Sequence, residues 1–162
     1  MPRKYKKVYG SRRPLKTVKY SNETYNITNT ISIASGGFIY TPLVSASDVQ
    51  GVRKAKNFTL KVFYAGNTPL MFVLAYVPED QKPQAINRGS STGAVSLYEP
   101  NQNVIMSGYI TPNYNAMQTF RTRLARNLNS GDTIQIIIAP AAATDAVVQQ
   151  LIGISLNYAI TY

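Results

Sequence analysis

Apolar and polar residues alternate with a period of two along most of this chain. Over residues 25–33, Tyr25, Ile27, Ile31 and Ile33 share one face, and Asn26, Thr28, Thr30 and Ser32 share the other. That is the pattern of a strand with one side toward a core. Residues 57–64 repeat it, with Phe58, Leu60, Val62 and Tyr64 on one side and Lys61 on the other. Residues 69–77, PLMFVLAYV, are apolar on both faces and rich in β-formers. They read as an inner strand rather than a buried helix, closed by the turn Pro78-Glu79-Asp80. Residues 104–110 are a further strand candidate, and Ile134, Ile136 and Ile138 alternate after the turn Asn129-Ser130-Gly131-Asp132. At the C-terminus Ile152, Ile154, Leu156, Tyr158, Ile160 and Tyr162 line one face, so the last residue is expected to be still in a strand. Gly36-Gly37 ends the first strand, and residues 37–55 and 81–102 are the longest stretches without a strand pattern.

Two segments admit two readings. Met117, Phe120, Leu124 and Leu128 fall near helical spacing, yet Phe120, Thr122 and Leu124 alternating with Arg121 and Arg123 fit a strand equally well. Residues 141–151, AAATDAVVQQL, accommodate one helical turn with Thr144 as its N-cap. Seven or eight short strands separated by Gly, Pro and Asn turns predict a single all-β domain, a sandwich or a barrel. There is no internal repeat.

Composition changes this picture in two ways. With 44% apolar and 15% charged residues, the 162-residue chain can bury a real core, which excludes disorder throughout. The net charge of +10 then calls for a polyanionic partner, nucleic acid first. Its distribution is uneven. Arg3, Lys4, Lys6, Lys7, Arg12, Arg13, Lys16 and Lys19 fall within the first twenty residues with no acid among them, leaving nine bases against seven acids in the rest. Such a segment, interrupted by Pro2, Gly10 and Pro14, cannot offset its own ordering by burial, so a mobile arm is expected until something negative meets it. Tyr5, Tyr9 and Tyr20 lie between the bases, an arrangement that suits stacking on unpaired bases while the cations take phosphates. The two clusters Arg3 to Lys7 and Arg12-Arg13 also read as a nuclear import signal, or as a solubilising tail. The arm is assigned to residues 1–22 and the folded domain to residues 23–162.

The missing residue types narrow the chemistry. Without His or Cys, Ser-His-Asp and Cys-His nucleophiles, thiolate or imidazole zinc sites and disulfides are all excluded. Of the seven acids only Glu79 and Asp80 are adjacent, and in a strand-ending turn neighbouring side chains diverge into water, which is poor ground for paired-carboxylate catalysis. Asp132 reads as turn chemistry. No Gly-rich phosphate loop precedes a helix. The expectation is a non-enzymatic protein with no cofactor and no metal. Met1 is followed by charged residues and no stretch approaches a membrane-spanning length, so no secretory leader and no membrane partner are expected, and the Asn-x-Thr sequons at Asn22, Asn26 and Asn57 read as strand residues. In the body, Arg53, Lys54 and Lys56 are expected in a loop before a strand; with Arg121, Arg123 and Arg126 they are candidates for secondary nucleic-acid contacts, against solvated or intersubunit charges. Twelve Tyr suit a subunit with protein interfaces.

The runs LAYVPED at residues 74–80, SLYEPNQNVIMSG at 96–108 and RLARNLNSGDTI at 123–134, together with the basic arm, resemble the capsid (coat) proteins of small circular Rep-encoding single-stranded DNA viruses of eukaryotes. The resemblance covers most of the chain from about Phe58 onward. It implies a single eight-stranded antiparallel jelly-roll β-sandwich with a basic N-terminal arm, self-assembling into a T=1 icosahedral shell of about sixty copies. Under it, the 117–128 segment is a strand, the eight arm bases contact the genome, and Arg3, Lys4, Lys6, Lys7, Arg12 and Arg13 carry the free subunit into the host nucleus through an import receptor. The arm is short for that family. About sixty arms would present roughly 480 positive charges, several-fold fewer than the phosphates of a genome of a few thousand nucleotides. The alternatives are a satellite RNA virus coat protein, with the same size, fold and arm, and a cellular single-stranded nucleic-acid-binding β-barrel module, which the nearly neutral body disfavours.

Overall fold

The computed structural model describes residues 19–33, 37–83, 103–141 and 148–161. They form eight strands: β1 (Ser21–Ile33), β2 (Ile39–Val44), β3 (Arg53–Ala65), β4 (Leu70–Val77), β5 (Val104–Ile110), β6 (Asn113–Leu128), β7 (Thr133–Pro140) and β8 (Val148–Ile160). There is no helix among the described residues. The strands make two four-stranded antiparallel sheets with the orders β1-β8-β3-β6 and β2-β7-β4-β5. The pairings are nested along the chain: β1 lies beside β8, β2 beside β7, β3 beside β6 and β4 beside β5.

The core lies between the sheets. Phe58, Leu60, Val62 and Tyr64 of β3, Ile152, Ile154 and Leu156 of β8, Leu70, Phe72 and Leu74 of β4, and Ile134, Ile136 and Ile138 of β7 are all buried there. These are the alternating sets that the period of two marks out. The unbroken apolar run of β4 has a second cause. Met71, Val73 and Ala75 on its other face form a separate buried cluster with Ile137 and Ala139 of β7, so both inner strands of this sheet are buried on both sides.

The ambiguous segment 117–128 lies within β6, paired along β3. Tertiary pairing decides the choice, since Phe120 packs edge-on against Phe72 of the opposite sheet, ring centroids 4.6 Å apart, while Met117 and Leu124 stay exposed. Gly108 of β5 sits against both rings, which closes the β5–β6 flank.

Several local expectations are corrected. Residues 37–55 are not one long loop, because β2 and the start of β3 fall inside them. The run IYTPLV was obscured by Pro42, which cannot complete a ladder and is tolerated here because β2 is an edge strand with a register shift at that point. Arg53, Lys54 and Lys56 lie in β3 rather than in a loop before it. Their alternation is out of phase with the rest of the strand because of a bulge at Asn57, where φ is +57° and the register shifts against both β6 and β8. Before the bulge the odd positions Arg53 and Ala55 face inward, and after it the even positions from Phe58 do. At the C-terminus the strand ends at Ile160 rather than running to the last residue; Thr161 is buried and bonds through its backbone N–H to the Lys54 carbonyl, and Tyr162 lies outside the described residues. Residues 148–151 are strand, and Thr144, the expected helical cap, lies outside the described residues.

At one end of the sandwich a buried carboxylate joins two turns. Asp132 is 4% exposed. It accepts hydrogen bonds from the Tyr76 hydroxyl at 2.6 Å, the Asn129 N–H at 2.7 Å and the Glu79 N–H at 3.2 Å. The turn role expected of Asp132 is present in the bond to Asn129, and the other two bonds reach across more than fifty residues. Glu79 and Asp80 are both exposed.

Candidate nucleic-acid interface

The outer face of the β1-β8-β3-β6 sheet is set by parity. On β3, Lys54, Lys56, Thr59, Lys61 and Phe63 alternate with buried neighbours and point away from the core. On β6, Thr119, Arg121 and Arg123 are exposed and share the outward parity, with Arg121 directly opposite Thr59 and Thr119 opposite Lys61. This face thus carries Lys54, Lys56, Lys61, Arg121 and Arg123, and no carboxylate among the described residues, since Glu23 of β1 has the parity of the inward Tyr25 and Ile27. Strand geometry makes the five cations a band. Lys54 and Lys61 are seven residues apart along β3, roughly 23 Å at strand rise. Asn57, Thr59, Arg121 and Arg123 border a shallow concavity of about 510 Å³ beside the bulge.

Tyr20, at the root of the arm, lies on this same face. This residue, just before β1, lies under the Lys56 ammonium, 3.5 Å from nitrogen to ring centroid. Asn22, Ala159 and Lys56 are aligned across β1, β8 and β3, and the small Ala159 between them leaves room for the ring. Lys19 is exposed just outside. The other arm bases, Arg3, Lys4, Lys6, Lys7, Arg12, Arg13 and Lys16, lie outside the described residues.

Two of the six body candidates are turned away from this band. Arg53 is 6% exposed, and one of its guanidinium nitrogens donates to the Ser45 carbonyl at 3.4 Å. Arg126 pairs with the buried Ala55 and donates to the Val104 carbonyl of the other sheet at 3.4 Å, which ties the two sheets at the β5–β6 flank. Lys54, Lys56, Arg121 and Arg123 do come together. Lys61, not singled out as a site residue from the sequence, belongs with them; its signal was its place on the polar side of the alternation over residues 57–64.

The β1 and β8 half of the face differs in kind. Asn22, Thr24, Asn26, Thr28, Thr30 and Ser32 are exposed along β1, beside Ser155 and Asn157 of β8. Thr24 donates from its hydroxyl to the Asn157 side-chain oxygen at 2.6 Å. The outer face of the second sheet differs again. Its outward positions Tyr40, Met71, Val73, Ala75, Ser107, Tyr109, Gln135, Ile137 and Ala139 bear no charge. Among the described residues no group of three or more metal-ligating side chains occurs.

No family model matches the chain, and no curated protein matches it. Among solved structures, a chain in a structure of infectious bursal disease virus Gx strain is similar over 91% of this chain, with 10% sequence identity and a TM-score of 0.51. This chain spans about a third of that one, 32% of its length. A structure of Desmodium yellow mottle tymovirus aligns over 94% of this chain and 93% of that chain at 11% identity, with a TM-score of 0.29. The first likeness is one of fold.

Proposed function

We propose that this chain is the coat subunit of a small virus, a jelly roll that assembles with copies of itself into a closed shell and holds nucleic acid on one side. One observation carries the reading. The outer face of the β1-β8-β3-β6 sheet carries five cations and no carboxylate among the described residues, with Tyr20 at the root of the basic arm lying on it, whereas the outward positions of the other sheet are uncharged and, on its two inner strands, mostly buried. A shell subunit meets a polyanion on one side, and an exposed sheet face of cations without carboxylates serves it. The nested pairing of β1 with β8 through β4 with β5 supports a jelly roll, and the likeness in fold to a virus structure agrees with it.

On this reading the shell is T=1, of about sixty copies, and the genome is circular single-stranded DNA. The arm and the band on the sheet supply its electrostatic contacts, so the body cations offset part of the arm's charge shortfall. Import to the host nucleus uses Arg3, Lys4, Lys6, Lys7, Arg12 and Arg13. No catalytic step is involved. Packaging by cation–phosphate contact is independent of sequence and weakens with salt.

The test is electron microscopy and size-exclusion chromatography of the purified full chain, with nuclease digestion of what it encloses. Uniform closed particles holding DNase-sensitive nucleic acid support the reading. RNase-sensitive contents point to a satellite RNA virus coat protein, and a stable monomer at all salt concentrations to a nucleic-acid-binding module. Unchanged nucleic acid per particle after deletion of residues 2–19 would overturn the arm's role.

A further inference from the structure

The basic face carries a second feature beside its cations. Gly153 of β8 lies between Thr28 of β1 and Phe63 of β3 on the outward side. The absent side chain leaves a dip, with Thr28 on one side and Phe63 on the other. A Cβ placed there would stand 3.6 Å from the Thr28 hydroxyl oxygen and 3.7 Å from the Phe63 Cβ, both ordinary contacts. The glycine is therefore not required by crowding, and its φ is not among the positive ones. What it provides is open space beside an aromatic side chain and a row of hydroxyls and amides.

We propose that a nucleobase of a single strand occupies the dip over Gly153 beside Phe63, while the phosphates of that strand lie along Lys61, Arg121 and Arg123. The inference rests on the reading of this face as a polyanion surface and adds which chemical part of the polyanion goes where. Neighbouring strands are about 4.8 Å apart, so β8 is one strand from Lys61 and two, roughly 10 Å, from the arginines of β6. That is the scale of one nucleotide measured from backbone to base. Lys61 pairs with Ser155, the next outward position after Gly153 on β8, so cation and dip are neighbours. A duplex keeps the faces of its bases stacked on one another and offers only their edges in the grooves, so it gains nothing from the dip. Phe63, Thr28 and Ser155 are sequence-tolerant partners, through stacking and through hydroxyls that both donate and accept.

The experiment is fluorescence anisotropy with the full chain and three probes of equal length: an oligothymidylate, the same backbone without bases, and a duplex. The expected result is that wild type prefers oligothymidylate over the abasic strand by about fivefold or more, the scale of one stacked base. Gly153→Val, whose β-branched side chain suits a strand, should bring that ratio near one without changing abasic affinity. Phe63→Ala should reduce the ratio as well, independently of any effect of the valine on folding. Arg121→Ala should weaken both single strands equally. Equal binding of the two by wild type, or a ratio unchanged in both Gly153→Val and Phe63→Ala, overturns the base site while leaving the polyanion reading intact. Absence of binding to all three probes overturns both.

Discussion

The Lys56 ammonium lies 3.5 Å from the centroid of the Tyr20 ring, and this contact holds Tyr20, the residue before β1, against the outer face of the sheet. Lys56 belongs to β3 and Tyr20 precedes β1, with β8 between them. The pair ties the root of the arm to the outer face of the body. A cation–π pair at such a partly exposed site contributes about 0.5–1 kcal/mol. A double-mutant cycle of Tyr20→Ala and Lys56→Ala, read by denaturant unfolding, should return a coupling of that size. A coupling near zero would mean that the arm root is not held there.

Arg121 and Arg123 are set against the buried Arg53 by the salt dependence of binding. Removing one cation–phosphate pair from a single-strand complex lowers the slope of log affinity against log salt by about 0.7. Arg121→Ala and Arg123→Ala should each show a drop of about that amount. Arg53→Met should leave the slope unchanged, because its guanidinium is turned inward to the Ser45 carbonyl. A slope indifferent to Arg121 and Arg123 counts against the band.

Asp132 holds two turns by accepting from Tyr76, Glu79 and Asn129. Asp132→Ala strands three donors at a buried position, and hydrogen bonds to a charged acceptor are among the stronger ones. The expected loss is about 3 kcal/mol or more in unfolding free energy. Asp132→Asn, which replaces one acceptor oxygen with a donor, should lie between it and wild type.

Tyr76 supplies a pH dependence. Burial, and then the hydrogen bond to Asp132 and its negative charge, push the Tyr76 hydroxyl up to about 12 from its ordinary 10.0. The native state keeps this proton where the unfolded chain has lost it. The stabilisation is therefore complete below pH 10 and is lost as pH rises toward and through 12. Unfolding measured from pH 9 to about 12 should fall more steeply for wild type than for Tyr76→Phe. Parallel curves would show that this hydroxyl keeps an ordinary affinity for its proton.

Gly108 is a packing requirement. A Cβ there would stand 2.8 Å from Phe72 Cε1 and 3.2 Å from Phe120 Cε1. Gly108→Ala must push apart two rings that join the sheets, at a cost of about 1–3 kcal/mol typical of overpacking. Thermal unfolding measures it, and Gly153→Ala, where contacts are ordinary, is the control.

Much of the fold was legible from period-two alternation, which is a direct image of side chains taking turns between core and solvent. It located β3 after its bulge, β4, β5, β7 and most of β1 and β8. It failed where a local device broke the period: Pro42 hid β2, and the left-handed Asn57 put Arg53 and Ala55 out of phase with Phe58 and Leu60. The candidate site was legible in residue type only. Lys54, Lys56, Arg121 and Arg123 were singled out, but so were Arg53 and Arg126, because a charge in a sequence carries no direction until the strand's phase is known.

What the sequence alone determined is the all-β class, the acid-free basic arm and the exclusion of His- and Cys-dependent chemistry, since these depend on which residues are present and on their local order. The tertiary structure decided which cations share a surface. Lys61 and Arg121 are distant along the chain and belong to one band because β3 pairs with β6; Gly153 joins them because β8 pairs with β3 on the other side. Those pairings are long-range hydrogen-bond ladders, set by how the whole core packs, and no short window of residues contains them.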